Sequence, residues 1–122
     1  MGEIVIKKGD WKTEKHSPVI EVPEGIEAGK AFDVKVSLGK EIGHPNTLEH
    51  HIAWISVYFQ PEGAPVPLQV GHFEFTSHGA GDLYTPPSVV VTLQTDKPGK
   101  LQALSFCNIH GLWQSGAKVT FG

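Results

Sequence analysis

At 122 residues the chain is long enough for one domain, spanning 1–122, with a core of its own, and its single cysteine excludes an intrachain disulfide. A net charge of −3 with dispersed lysines excludes the basic footprint of a nucleic-acid partner, so no nucleic acid is expected. No apolar run suits a signal-peptide core or a membrane span, so the expectation is a soluble, cytoplasmic protein with no membrane partner.

Fourteen glycines and nine prolines break every stretch that could hold a long helix, and an all-β reading follows. In chain order, the opening "MGEIVIKKGDWK" leads to "TEKHSP", a polar cluster with Glu14, Lys15 and His16. "AFDVKVSL" alternates, with Phe32, Val34, Val36 and Leu38 on one face and Asp33, Lys35 and Ser37 on the other. "GHPNTLEHH" is a second polar cluster, with His44, Glu49, His50 and His51. "IAWISVYFQ" is apolar in both phases, as for a central strand covered on both sides. "QVGHFEF", "PSVVVTLQ" and "GKLQALSFC" read as strands, and turn-rich "PEGAPVP", "SHGAGDLYTPP" and "TDKPGK" separate them. "CNIHGLW" is the third cluster, with Cys107 and His110, and "AKVTF" is a terminal strand. About seven short strands predict a β-sandwich of immunoglobulin-like type rather than a closed barrel.

Histidine, at seven residues, is the outlier of the composition and the commonest metal ligand. Taken singly, each cluster has an ordinary reading: a loop histidine is solvated, and a lone buried cysteine is a small hydrophobe. His72 and His78 keep that reading, His78 as a hydrogen-bonding pin for a Gly-rich turn. His50 and His51 open an extended segment and should point to opposite faces, so only one of them faces a given site.

Together the clusters carry more. A tight loop can bring Cys107 and His110 onto one ion, and His44 and His50 bracket a Pro-Asn turn. Several imidazoles with one thiolate suit iron, copper or zinc and exclude magnesium and calcium. A blue-copper electron-transfer protein of cupredoxin type uses two histidines and a cysteine with a weak axial methionine; here the only methionine is Met1, although a backbone oxygen or glutamine can substitute. Structural zinc rarely uses one cysteine with several histidines. A Cys-His nucleophile lacks a recognisable orienting acid and oxyanion hole. A metal-free immunoglobulin-like binding module leaves all three clusters unexplained.

The motifs "EKHSP", "GKEIGHPNTLEHHI", "YFQPEG", "VGHFEFTSHG", "LYTPP" and "LSFCNIHGLW" resemble superoxide reductase of the one-iron class, or neelaredoxin, related to the iron-site domain of desulfoferrodoxin. The resemblance runs from about Gly9 to Trp113. It implies an immunoglobulin-like sandwich holding one non-haem iron ion per chain, cycling between Fe2+ and Fe3+. It implies four equatorial imidazoles, from His16, His44 and His50 through Nε2 and His110 through Nδ1, with Cys107 as the axial thiolate. Glu14 would fill the sixth position of the oxidised iron, and Lys15 would stand beside the open site.

The implied reaction is one-electron reduction of superoxide to hydrogen peroxide, with rubredoxin or a similar small protein as electron donor and a homotetramer as the assembly. Backbone N–H groups of Ile109 and His110 are the expected donors that temper the thiolate. With one cysteine, the cysteine-rich iron domain of two-iron relatives is excluded. The "SHGAGDLYTPP" segment is shorter than the corresponding loop of relatives, Gly43 stands where proline is common, and His72 where arginine is common.

Overall fold

A computed structural model describes residues 2–10, 12, 14–40 and 43–122; Thr13, Glu41 and Ile42, which fall within the motifs above, lie outside the described residues. Among the described residues there are seven strands: β1 (Val19–Glu21), β2 (Phe32–Ser37), β3 (Ile52–Pro61), β4 (Leu68–Glu74), β5 (Ser88–Leu93), β6 (Gly99–Cys107) and β7 (Gly111–Val119). They form a three-stranded sheet, β1-β2-β5, and a four-stranded sheet, β4-β3-β6-β7, with every pairing antiparallel. This is the immunoglobulin-like sandwich that the alternation predicts. Among the described residues no helix is long and apolar enough to cross a membrane.

The core lies between the sheets. The inward set of β2, Val34 and Val36, meets Ile55, Val57 and Phe59 of β3, Leu101 and Ala103 of β6 and Val119 of β7, all buried. Burying a Val or Ile side chain of this kind contributes about 1.5–3 kcal/mol. β3 is central, as its two-phase apolarity implies, yet its outward residues are covered by neighbours in their own sheet. Trp54 stacks on Phe106 with centroids 5.7 Å apart, and Ser56 accepts from Gln69 Nε2 at 3.1 Å and donates to Tyr58 Oη at 2.9 Å.

Two elements differ from the sequence reading. β1 is a three-residue strand paired with β2 from Val19↔Ser37 to Glu21↔Lys35, too short to show a period. β7 begins at Gly111 and not at Ala117, because the hairpin with β6 continues its ladder through the polar "QSG" stretch from Gly99↔Val119 to Cys107↔Gly111. That hairpin turns at Asn108–His110 and re-enters the sheet at Gly111, whose φ of 82° is accessible to glycine without strain.

The antiparallel order gathers the three polar clusters. The start of β1, the end of β2, the start of β3 and the β6–β7 turn share one end of the sandwich, since Val19 pairs with Ser37 and Ile52 with Cys107. Residues 14–18, 43–51 and 107–111, far apart in sequence, therefore meet there.

Candidate metal centre

His16 precedes β1 and is fixed from several sides. Ser105 Oγ, fully buried on β6, donates to the His16 carbonyl at 3.0 Å. Trp113 of β7 stacks on the His16 ring, with centroids 5.0 Å apart and planes inclined by 15°, and its indole N–H donates to the His110 carbonyl at 3.3 Å. Glu14 Oε1 lies 2.6 Å from His16 Nδ1 and accepts from the His16 backbone N–H at 2.9 Å. With Nδ1–H donating to the carboxylate, Nε2 is left as a lone pair facing inward.

The 43–51 loop carries the next two. His44 Nδ1 donates to the Pro45 carbonyl at 2.7 Å, so its Nε2 is the unprotonated nitrogen. Thr47 closes a turn onto His50: its N–H donates to the His50 carbonyl at 2.9 Å, and its hydroxyl accepts from the His50 N–H at 3.1 Å. Cys107 ends β6 with no exposure. In the turn that follows, the His110 N–H donates to Cys107 Sγ at 3.4 Å, and His110 Nδ1 stands 3.7 Å from the same sulfur. Of the two backbone donors expected at the sulfur, the His110 N–H is the one that meets it.

The four imidazoles form a closed ring. Neighbouring centroids are 4.9 Å apart for His16–His44, 4.7 Å for His44–His50, 5.0 Å for His50–His110 and 4.6 Å for His110–His16, each pair edge to face. The His16–His50 diagonal is longer, 6.3 Å, as in a square. One donor atom each from His16, His44, His50 and Cys107 lies within 4.8 Å of all the others, and His110 Nδ1 is 3.0 Å from His16 Nε2.

A metal ion fits this arrangement. His44 Nε2 and His50 Nε2 are buried without a hydrogen-bond partner, a costly state that a coordinated cation removes. The electrostatics agree. Burial, joined by the positive charge of His16, His50 and Lys15 and opposed by the Pro45 carbonyl, lowers the His44 pKa to about 4. Burial also lowers the proton affinity of His16, against the pull of Glu14, and that of His50, with help from His110, Lys15 and His16. The rings are thus neutral at neutral pH, the form that binds metal. A set of imidazoles and one thiolate suits a borderline transition metal such as iron.

The remaining residues named from the sequence fall around this group. Glu14 sits on the outer edge of His16 rather than among the clustered donors; burial would raise its pKa, but its hydrogen bonds from His16 and the nearby charges of His16 and Lys15 hold it low. Lys15 is half-buried and close enough to act electrostatically on three of the imidazoles. His51 turns away from the group, with Nδ1 2.9 Å from the Thr47 carbonyl and its ring stacked on His78 at 3.6 Å. His78 pins more than its own turn: its nitrogens lie 2.8 Å from the Phe75 carbonyl and 2.7 Å from Asn46 Oδ1. His72 lies beside Trp54, with centroids 5.3 Å apart. Ser105, Thr47, Asn108 and the stacked Trp113 carry no role in the sequence reading. Of these only Trp113 had a signal, as the last residue of the "CNIHGLW" motif.

An immunoglobulin-like sandwich that gathers four histidines and one cysteine at one end defines a mononuclear metal protein. The family model described as Desulfoferrodoxin matches residues 8–116, and the chain belongs to this family. It is 56% identical over 114 residues to superoxide reductase of Pyrococcus horikoshii, covering 93% of this chain and 95% of the relative. It is 52% identical over 122 residues to neelaredoxin of Megalodesulfovibrio gigas, covering 94% of each. The reduced superoxide reductase (neelaredoxin) of Archaeoglobus fulgidus superimposes with a TM-score of 0.89 at 50% identity, over 95% of this chain and 98% of that one. Nothing in these likenesses supports the copper electron-transfer alternative, and four imidazoles converge here where a blue-copper centre uses two.

Proposed function

We propose that this chain is a superoxide reductase, a single domain over residues 1–122 with one iron ion per chain held by His16, His44, His50, His110 and Cys107. The observation that carries the ligand set is the square of imidazoles, with buried unpartnered Nε2 atoms on two of its members and Cys107 Sγ beside it. An iron ion held there supplies, through its Fe2+/Fe3+ pair, the one-electron chemistry that takes superoxide and two protons to hydrogen peroxide.

The chain's own residues perform the rest. Glu14 takes the Nδ1–H of His16 and the Pro45 carbonyl takes that of His44, which leaves both Nε2 atoms basic and aimed inward. The His110 N–H withdraws charge from the Cys107 sulfur, tempering a thiolate that would otherwise favour O–O cleavage. Lys15 supplies positive charge on a net-negative chain, attracting an anionic substrate. An open sixth position, and its closure by Glu14 in the oxidised protein, belong to the same proposal.

Rubredoxin or a similar small carrier is the proposed electron donor, the cytoplasm the proposed compartment, and a homotetramer the proposed assembly. The outward face of the four-stranded sheet, with Trp54, Leu104, Phe106 and Leu112 half-buried, supports association between chains. The test is product stoichiometry. Iron-loaded, pre-reduced protein should yield one hydrogen peroxide per superoxide consumed and no dioxygen beyond the spontaneous background. Evolution of dioxygen, or no acceleration of superoxide loss, would contradict the assignment.

A further inference from the structure

We propose that Asn108 is a positioning residue for His50, and that its carboxamide sets where the histidine loop stands relative to the cysteine turn. The inference rests on the reading of His50 as a metal ligand.

Asn108 offers nothing to the metal. Its side chain is exposed and engages the two residues that flank His50: Nδ2 donates to the Glu49 carbonyl at 3.0 Å, and Oδ1 accepts from the His51 N–H at 2.8 Å. Its backbone N–H donates to the His51 carbonyl at 3.2 Å. His50 is thereby bracketed by a residue that directly follows Cys107 and stands two before His110.

Other contacts leave this task undone. The hydrogen bonds between Thr47 and His50 close a turn within the loop, which fixes its shape but not its position. The β3–β6 ladder shifts register between Ile52 and Trp54, so strand pairing loses its regularity just where the loop enters the sheet. His51 stacks on His78 from the other side, and that contact constrains the loop against residues 75–85 and not against the cysteine. The side-chain link from residues 49–51 to the Cys107 turn runs through the Asn108 carboxamide. The task needs a donor and an acceptor at one reach; aspartate keeps only the acceptor, and alanine neither.

The experiment loads the full chain with iron(II) and follows its loss to an excess of a ferrous chelator. Asn108→Ala should speed release by roughly ten- to a hundredfold, the usual effect of losing a group that orients a ligand. Asn108→Asp, which still accepts from the His51 N–H, should speed it less. In a His50→Ala background, Asn108→Ala should add nothing, since the ligand it positions is gone. A release rate within about twofold of the parent, or the same acceleration in the His50→Ala background, overturns the proposal. Imidazole NMR of the metal-free protein separates the two levels of the argument. Failure of the parent chain to take up iron would defeat the proposed function. The role of Asn108 would then stand or fall on whether Asn108→Ala moves the His50 ring resonances while leaving those of His16 in place.

Discussion

Acid should unfold the metal-free protein through its own ligands, and His44 gives the clearest case. Its ordinary pKa of 6.5 falls to about 4 in the fold, chiefly through burial. Between those values the unfolded chain takes up a proton that the folded chain refuses. The stability from keeping His44 neutral is therefore complete above about pH 6.5 and is lost as pH falls towards 4. Over this gap of about 2.5 pH units, at about 1.4 kcal/mol each, the ceiling is about 3.4 kcal/mol. Solvent reaches part of the ring, and screening brings the expectation to about half of that.

The assay is urea unfolding of chelator-treated protein at about pH 7 and about pH 4.5, for the parent and for His44→Gln. The parent should lose about 1–2 kcal/mol more than the variant over this interval. A residual loss persists in the variant, because burial also disfavours the protons of His16, His50 and His78. Equal losses in parent and variant would refute the reasoning.

Removing the Ser105 hydroxyl in Ser105→Ala leaves the His16 carbonyl without its buried donor; the expected cost is about 1–3 kcal/mol in chemical denaturation, together with faster metal loss, and an unchanged midpoint would count against it. Lys15→Ala should slow superoxide capture at low salt by up to roughly tenfold and flatten its dependence on ionic strength, as read by pulse-generated superoxide decay. Gly111→Ala forces a side chain into a φ of 82° at the turn beside Cys107 and should lower stability by about 1 kcal/mol or more in thermal melts.

Six of the strands were legible because their apolar residues alternate or run together, as in Val34, Val36, Ile55 and Val57, all now in the core. β1 was not, since three residues carry no period, and the first half of β7 was not, since Gln114, Ser115 and Gly116 owe their extended form to the hairpin partner. The candidate donors were legible as residue types clustered in three motifs and through the family they resemble. The geometry around them was not. Ser105 reaches the carbonyl of a residue 89 positions away, and Asn108 brackets a loop nearly 60 residues upstream, contacts that antiparallel pairing creates and no local pattern announces. His78 was read as a pin for its own turn, and the structure extends that role to Asn46 and His51.

The most direct test is the metal itself, in parent and Cys107→Ser protein. The parent should contain one iron per chain and show, when oxidised, a visible thiolate-to-iron charge-transfer band that disappears in Cys107→Ser. Stoichiometric copper, no metal, or a band that survives the loss of the only cysteine would contradict it.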